Sequence, residues 1–214
     1  ESLKEEYRRK KEAEINALQA NINPHFLYNT LNQLNWMAID AGQEKISHAL
    51  ELLGRMLRLG LSNGERFIPL KDEMEYLQCY LDIQRIRLGD GLDYNLDAGP
   101  DAEPLYVPKL TLQPFVENSI IHGFHDRDSG LIRVEARREG ERLVIRIVDD
   151  GVGVTPDWRR MRGSKKGGYG IRNVEERLYV YFGQRASVTV QPLEAGGTEV
   201  IIAMPALAEI PENL

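Results

Sequence analysis

The 214-residue sequence predicts an α+β protein: a hairpin of two antiparallel helices over residues 1–64, followed by a two-layer α/β sandwich over residues 65–214. The first region shows apolar side chains at helical spacing only. In the second region, helical segments alternate with strand-like segments, and two pairs of strands are separated by short turn sequences. Because a sheet must cover one face with another layer, this order predicts one mixed sheet with helices packed on one side.

The first region contains two helices with a break between them. Residues 1–21 are rich in strong helix formers, and Pro24 is expected to bend the helix beside His25. The run 40–43 has the composition of a helix end, and a second helix is predicted over 43–61. Because each helix of a hairpin buries one face, we expect two copies to form a four-helix bundle. The positions expected inside are Ile15, Leu18, Ile22, Trp36, Ile46, Leu50, Leu53, Leu57 and Leu61.

The second region alternates between the two types of element. Helices are predicted over 70–88, 108–123 and 170–182, and strands over 92–96, 131–137, 142–148, 187–191 and 198–204. The last four strands form two hairpins, because the runs 138–141 and 195–197 contain turn residues. The tail after Pro205 is expected to be loose.

Composition narrows the functional classes. The net charge of −6 gives a nucleic-acid partner no electrostatic support from the chain as a whole. The single cysteine, Cys79, excludes an internal disulfide and favours a reducing compartment, so we expect a cytoplasmic location. No run approaches the ~20 apolar residues that span a bilayer. The chain begins inside a helical pattern, and we expect it to be part of a longer protein.

Polar residues in the second region form a candidate nucleotide site. Asn118 lies among apolar helix residues, and its amide oxygen is a suitable ligand for Mg²⁺. Asp149 ends a strand, where its carboxylate could accept a hydrogen bond from an adenine amino group. Glycines that allow a base or phosphates to approach the backbone follow as Gly151, Gly153, Gly167, Gly168 and Gly170. Positive charge in the intervening loop comes from Arg159, Arg162, Lys165 and Lys166.

Each of these features has a simpler interpretation. A glycine-rich segment before a helix is more often a plain turn, an aspartate before glycine is often a hairpin corner, and a buried asparagine is often a structural amide. His122 suits a phosphate contact and a packing role about equally. For Trp158, exposure in the loop and a position over the nucleotide both remain open. What favours a nucleotide site is the order of the features on helix, strand end and loop.

These segments resemble known motifs. Glu117-Asn118, Asp149 to Gly153 and Gly167 to Gly170 resemble the N, G1 and G2 boxes of the Bergerat-fold ATP-binding superfamily, which includes histidine kinases, type II topoisomerases, Hsp90 chaperones and MutL proteins. Gly196-Gly197-Thr198 resembles the late Gly-Thr element of that fold. The run 18–32 closely resembles the phosphoacceptor region of the LytS/YesM-type sensor histidine kinases, and 112–123 resembles their N box.

The resemblance implies a function. Members that hydrolyse ATP carry a water-activating glutamate four residues before the asparagine, where this chain has Pro114. The resemblance therefore implies autophosphorylation on His25 with ATP and Mg²⁺, and Asn29, one turn later, could hold the ring. Phe26 replaces the acid that follows the histidine in commoner histidine kinases, so Glu117 is the candidate base, or it assists Mg²⁺ through water.

The resemblance also implies partners. The chain would form a homodimer, pass its phosphoryl group to the aspartate of a response regulator, and belong to a membrane-bound sensor through parts that are absent from this sequence. Two alternatives remain open: an ATP-driven clamp like the chaperone and topoisomerase members, and a dimerisation module whose ATP site has decayed.

Overall fold

The computed structural model describes residues 24–61, 65–125, 127, 129–154 and 169–211. The chain separates into two compact units, Glu1–Glu65 and Arg66–Leu214. Among the described residues, no helix is both long enough and apolar enough to cross a membrane.

The first unit is a helical hairpin, as predicted. Helix α1 spans Pro24–Asp40 and helix α2 spans Glu44–Gly60. The break between them is closed by backbone hydrogen bonds, including one from Gln43 N to Ala38 O at 2.8 Å. The expected bend at Pro24 and the apolar positions Ile15, Leu18 and Ile22 lie at or beyond the edge of the described residues.

The hairpin buries few of its apolar side chains. Among its described residues, only Ala38 and Leu52 are buried. The prediction that Trp36 is buried is wrong for a single chain, because 67% of this residue is exposed, and Ile46 is 52% exposed. Leu53 is also exposed. Two helices can shield only the narrow seam between them, so side chains on the flanks remain in solvent.

The second unit contains three α-helices and seven strands among its described residues. Its helices are α3 (Leu70–Leu88), α4 (Gln113–Asn118) and α5 (Tyr169–Phe182). Its strands are β1 (Phe67–Pro69), β2 (Leu92–Ala98), β3 (Tyr106–Pro108), β4 (Gly130–Glu139), β5 (Arg142–Asp149), β6 (Ser187–Pro192) and β7 (Thr198–Pro205).

Five of these strands form the predicted mixed sheet. Their order is β2-β4-β5-β7-β6, with β2 parallel to β4 and the other neighbours antiparallel. The pairing of β5 with β7 sets Asp149 opposite Thr198. The C-terminal end of β5 therefore lies beside the N-terminal end of β7.

The core lies between one face of the sheet and the helices. Burial alternates along β4 and β5, as a half-buried sheet requires. Side chains of this core that are fully buried include Leu77, Leu81, Phe115, Ile132, Leu143, Ile145, Ile147 and Leu178. Each such side chain stabilises the unit by about 1.5–3 kcal/mol through removal from water. This arrangement confirms the predicted two-layer sandwich.

Three local predictions are corrected. The helix predicted from residue 108 begins at Gln113, because Pro108 pairs with Phe67 in a separate two-stranded sheet of β1 and β3. The same helix changes after Asn118 into a π turn, Ser119–Gly123. The tail is not loose directly after Pro205, because the backbone of Leu207 accepts a hydrogen bond from Tyr106 N at 2.8 Å.

Candidate functional site

The centre of the candidate site is the buried carboxylate of Asp149, which is 4% exposed at the end of β5. Its Oδ1 accepts hydrogen bonds from the backbone N–H groups of Gly151 at 3.0 Å and Thr198 at 3.2 Å. Its Oδ2 accepts one from Ser119 Oγ at 2.7 Å. An ionised carboxylate offers roughly four lone-pair positions, so these three donors leave one acceptor position on Oδ2.

Close backbone contact holds the turn after β5 in place. Val152 N donates a hydrogen bond to Gly123 O at 2.9 Å. A Cβ at Gly151 would lie 2.5 Å from that same carbonyl oxygen, so this position excludes every side chain. The turn after Asp149 and the end of the π turn therefore touch directly through their backbones.

The start of β7 makes a second close contact. Gly197 has a φ of +95°, and a Cβ there would lie 1.9 Å from Asp149 O. Both facts require glycine, because an L side chain rarely adopts this conformation and has no space here. Gly153 has a φ of +80°, and a Cβ there would lie 3.0 Å from Gly197 O. These contacts fix the backbone that brings Thr198 N to the carboxylate.

Asn118 is held with its oxygen available. Its Nδ2 donates a hydrogen bond to Pro114 O at 2.7 Å, so the oxygen Oδ1 is the atom left to bind a ligand. Among the residues that the structure describes, no three His, Cys, Asp or Glu side chains converge on a metal position. An ion held by this amide would take its other ligands from phosphate and water, and Mg²⁺ commonly binds in this way.

The π turn brings two further residues to Asp149. Its widened geometry is marked by a hydrogen bond from Phe124 N to Ser119 O at 3.0 Å, and such turns often occur at functional sites. Ser119 reaches the carboxylate from the start of the turn. At its end, a Cβ at Gly123 would lie 3.4 Å from Asp149 Oδ1, within van der Waals contact, so Gly123 lies directly against the carboxylate.

Sequence reasoning missed Ser119 and Gly123 as site residues. The available signal was a small hydroxyl residue in a mostly apolar helical segment, directly after Asn118. A serine at such a position is buried only when its hydroxyl has a partner, and the partner was not identifiable from local spacing.

Glu117 and His122 are exposed and do not join the Asp149 cluster. Burial, followed by the negative charge of Glu117, raises the pKa of Tyr80 to about 12, so Glu117 lies on the side of α4 that faces α3. Glu117 lies two positions before Ser119, which places the two side chains roughly 200° apart around a helix. The structure therefore does not bring Glu117 to the same cluster as Asp149.

In the first unit, His25 and Asn29 are exposed and in contact. Asn29 Nδ2 lies 3.3 Å from His25 Nδ1 and 3.5 Å from Nε2. An atom nearly equidistant from both nitrogens cannot lie along the in-plane lone pairs of both. The contact therefore restrains the ring without assigning one nitrogen to the amide.

Several predicted residues fall outside the described part of the chain: Trp158, Arg159, Arg162, Lys165, Lys166, Gly167 and Gly168. Gly170 is described and lies in the first turn of α5. A Cβ there would lie 3.1 Å from Pro114 Cβ, so α5 and α4 approach closely at this point.

Two protein-family models match the chain. Residues 13–92 match the model described as histidine kinase. Residues 108–208 match the model described as histidine kinase-, DNA gyrase B- and HSP90-like ATPase, which is an ATP-binding domain. The second match contains the whole Asp149 cluster.

Named relatives match nearly the whole chain. The sensor histidine kinase YesM of Bacillus subtilis (strain 168) is 34% identical over 94% of this chain. The sensor histidine kinase BtsS of Escherichia coli (strain K12) is 31% identical over 91%, and the sensor protein LytS of Oceanobacillus iheyensis is 32% identical over 87%. The chain spans 33–34% of the length of these relatives.

Solved structures share the fold. The histidine kinase domain of the Erythrobacter litoralis EL346 blue-light activated histidine kinase superposes with a TM-score of 0.52, at 20% identity, over 92% of this chain and 94% of that one. The catalytic domain of the histidine kinase ThkA gives a TM-score of 0.52 at 15% identity, over 67% and 97%.

Proposed function

Because this chain belongs to the sensor histidine kinases, we propose that its second unit binds ATP with Mg²⁺ and that the γ-phosphoryl group is transferred to His25. The observation that carries the proposal is the buried acceptor at Asp149. The remaining lone-pair position on its Oδ2 suits the exocyclic amino group of adenine, which donates a hydrogen bond. Guanine presents a carbonyl oxygen at the corresponding position and would leave two acceptors facing each other.

The phosphate end of the nucleotide is assigned to residues around α4 and α5. Asn118 Oδ1 would ligate Mg²⁺, whose chemistry is to neutralise charge on the phosphate oxygens. Backbone N–H groups at Gly168 and Gly170, the charge of Lys165, and His122 would bind phosphates. Gly153 gives the nucleotide access to the backbone. Thr198, Gly151 and Ser119 would hold the carboxylate that binds the base.

His25 is the proposed acceptor in the first unit. A neutral imidazole nitrogen attacks the γ-phosphorus, the bond from phosphorus to the bridging oxygen of ADP breaks, and ADP departs with that oxygen. Asn29 restrains the ring during the attack. The ring loses a proton when the new N–P bond forms, and Glu117 is the proposed base. Pro114 supports transfer over hydrolysis, because proline cannot activate a water molecule.

Further assignments follow from the family and concern the whole protein. We propose that the chain acts as a homodimer through α1 and α2, with the exposed apolar side chains of the hairpin as the contact. The phosphoryl group would pass from His25 to an aspartate of a response regulator. The chain would be the cytoplasmic catalytic portion of a longer sensor that is anchored in the cell membrane.

Incubation with ATP labelled at the γ-phosphate tests the proposal. The protein should acquire label that is lost in acid and retained in base, as a phosphoramidate requires. His25→Gln should abolish the label while nucleotide affinity stays unchanged. His48→Gln is the matched control, because His48 is an exposed histidine on the other helix of the same hairpin.

Three results would contradict this assignment. Label that survives His25→Gln would exclude His25 as the acceptor. Steady release of phosphate with no labelled protein would favour an ATP-driven clamp, and failure of the wild-type chain to bind nucleotide in calorimetry would favour a decayed module.

A further inference from the structure

A buried carboxylate outside the Asp149 cluster holds the segment before α4. Glu73 lies on α3 and is 1% exposed. Its Oε1 accepts a hydrogen bond from Leu112 N at 2.9 Å, and its Oε2 accepts one from Leu110 N at 2.9 Å. Burial raises the pKa of the Glu73 carboxyl, whereas these amides and the charge of Arg177 act in the opposite direction.

A buried cation holds the same segment from another helix. Arg177 lies on α5, and its Nη2 donates to Leu110 O at 3.0 Å and to Thr111 Oγ1 at 3.4 Å. Its Nε is buried and has no hydrogen-bond acceptor among the described residues. Burying a guanidinium is unfavourable unless its contacts compensate, so this position of Arg177 is an unusual use of a charged residue.

The segment that they share adopts a strained conformation. Leu110 has a φ of +56°, the only positive value at a residue other than glycine in the described part of the chain. Such strain persists only where surrounding contacts enforce it. Glu73 binds the N–H of Leu110 and Arg177 binds its carbonyl, so the two side chains together enforce this conformation.

The strained segment leads directly into the helix that carries Asn118. Leu112 is the residue before α4, and its carbonyl accepts hydrogen bonds from Phe115 N and Val116 N. The next turn contains Pro114, whose carbonyl fixes the amide of Asn118. Glu73 therefore determines where α4 starts and, through it, where Asn118 Oδ1 lies.

Helix α5 touches α4 at one further point. Gly170 approaches Pro114 closely, as described above, and Arg177 lies two turns further along α5. A change in the position of α5 would therefore be felt at two places: at Pro114 in α4 through Gly170, and in the segment before α4 through Arg177.

We propose that Glu73 and Arg177 are positioning residues for the metal-binding half of the nucleotide site. They hold α4 against α3 and α5 so that the Asn118 oxygen is preset for Mg²⁺. The base-binding half depends mainly on the backbone donors of Gly151 and Thr198 and is not touched by either residue. This inference rests on the proposed function.

The test compares two kinds of ligand. Adenosine reports the base-binding half, and the ratio of ATP affinities with and without Mg²⁺ reports the metal-binding half. The variants are Glu73→Gln, which leaves one amide N–H without an acceptor, and the double variant Glu73→Gln/Arg177→Met, which removes both buried charges. The double variant should remain folded, because it removes the two buried charges together and leaves neither of them uncompensated.

In both variants the gain in ATP affinity from Mg²⁺ should fall by about tenfold, or about 1.4 kcal/mol. Adenosine affinity should change by less than about threefold, because two of the three donors to Asp149 are backbone groups that neither residue contacts. Arg172→Met is the matched control, because Arg172 lies on the same helix and is exposed beside Glu176. This control should keep the full Mg²⁺-dependent gain.

Three outcomes would overturn the inference. If the folded double variant keeps the wild-type Mg²⁺-dependent gain, these residues do not position the metal ligand. If adenosine and Mg²⁺-ATP affinities fall together, the pair is merely structural. If the wild-type chain binds adenosine and ATP with no effect of Mg²⁺, the metal site itself is absent. A wild-type chain that binds no nucleotide would instead contradict the proposed function.

Discussion

The two units differ in which side chains they bury and which they leave exposed. Among described residues, the hairpin buries only Ala38 and Leu52 and leaves Trp36 and Met37 each 67% exposed. The sandwich buries a continuous apolar core and, within it, the carboxylates of Glu73 and Asp149. The sandwich therefore holds polar groups in fixed positions within a core of its own, whereas the hairpin leaves an apolar surface exposed, which suits an interface.

A charged residue placed in the exposed apolar surface of the hairpin should have the largest effect, because it should weaken the proposed dimer. Ile46 and Leu53 lie seven residues apart and share one face of α2, so both suit a helical interface. Ile46→Glu removes two isoleucines per dimer from that interface, about 3 kcal/mol or more, and should weaken dimerisation roughly a hundredfold. Sedimentation equilibrium measures this change.

Glu51→Gln, an exposed polar position on the same helix, is the control and should dimerise normally. Nucleotide affinity should be unchanged in both variants, because the sandwich contains all the residues of the Asp149 cluster. A dimer of wild-type strength in Ile46→Glu would place the interface elsewhere.

Inside the sandwich, Asp149→Asn should lower ATP affinity by about a hundredfold, or about 2.7 kcal/mol. An asparagine whose oxygen takes the hydrogen bonds from Gly151 and Thr198 would present its amide nitrogen in place of Oδ2. That nitrogen is a donor and would face the donor amino group of adenine. Calorimetric titration with ATP, GTP and ITP should show that the preference for adenine is lost.

Asp150→Asn is the matched control, because Asp150 is the exposed neighbour whose Oδ1 accepts a hydrogen bond from Leu131 N at 2.8 Å. It should bind ATP normally. Equal ATP affinity in the two variants would show that the base is recognised elsewhere.

Ser119→Ala tests the residue that sequence reasoning missed. Loss of the hydroxyl removes one hydrogen bond to a buried charged group, which is worth about 1.5–3 kcal/mol. Part of this loss falls on folding, so we expect ATP affinity to decrease by about tenfold. Ser187→Ala, at an exposed position on β6, should have no effect. An unchanged affinity in Ser119→Ala would mean that the backbone donors alone hold Asp149.

The raised pKa of Glu73 predicts how the stability of the sandwich depends on pH. Below the ordinary value of 4.5 this group is protonated in both states, and its contribution to stability is fully present. As pH rises, the unfolded chain loses the proton first, so this contribution declines until pH passes the raised folded-state value. The slope cannot exceed about 1.4 kcal/mol per pH unit.

Denaturant unfolding of the wild type and of Glu73→Gln across this range isolates the effect, because other titrating groups are common to both. As pH rises, the unfolding free energy of the wild type should fall relative to that of Glu73→Gln. A difference that is independent of pH would mean that Glu73 titrates alike in the folded and unfolded states.

Periodic elements were predictable from the sequence, and long-range contacts were not. The predicted helix over residues 70–88 matches α3 because its apolar side chains repeat over five turns. Strands β1 and β3 were missed because each has three residues, both contain proline, and they pair across a long separation in the chain. The start of α4 was misplaced for a related reason, because Pro108 belongs to that small sheet.

The candidate site shows the same division. The order of Asp149, Gly151 and Thr198 in motifs predicted that these residues share a site, and the structure brings them to one carboxylate. The hydrogen bond of Ser119 depends on the π turn, which arises from a single extra residue in a helix and has no periodic signature. The contacts of Glu73 join residues 37 and 39 positions apart, beyond the reach of local patterns.

The position of Thr198 has a consequence for the order of events during protein synthesis. Its backbone N–H completes the set of donors around Asp149, yet it begins the last strand of the sheet to leave the ribosome. A nascent chain that has released β5 but not β7 exposes one edge of a central strand and has an incomplete nucleotide site. The growing polypeptide thus presents its helical hairpin before the set of donors around Asp149 is complete.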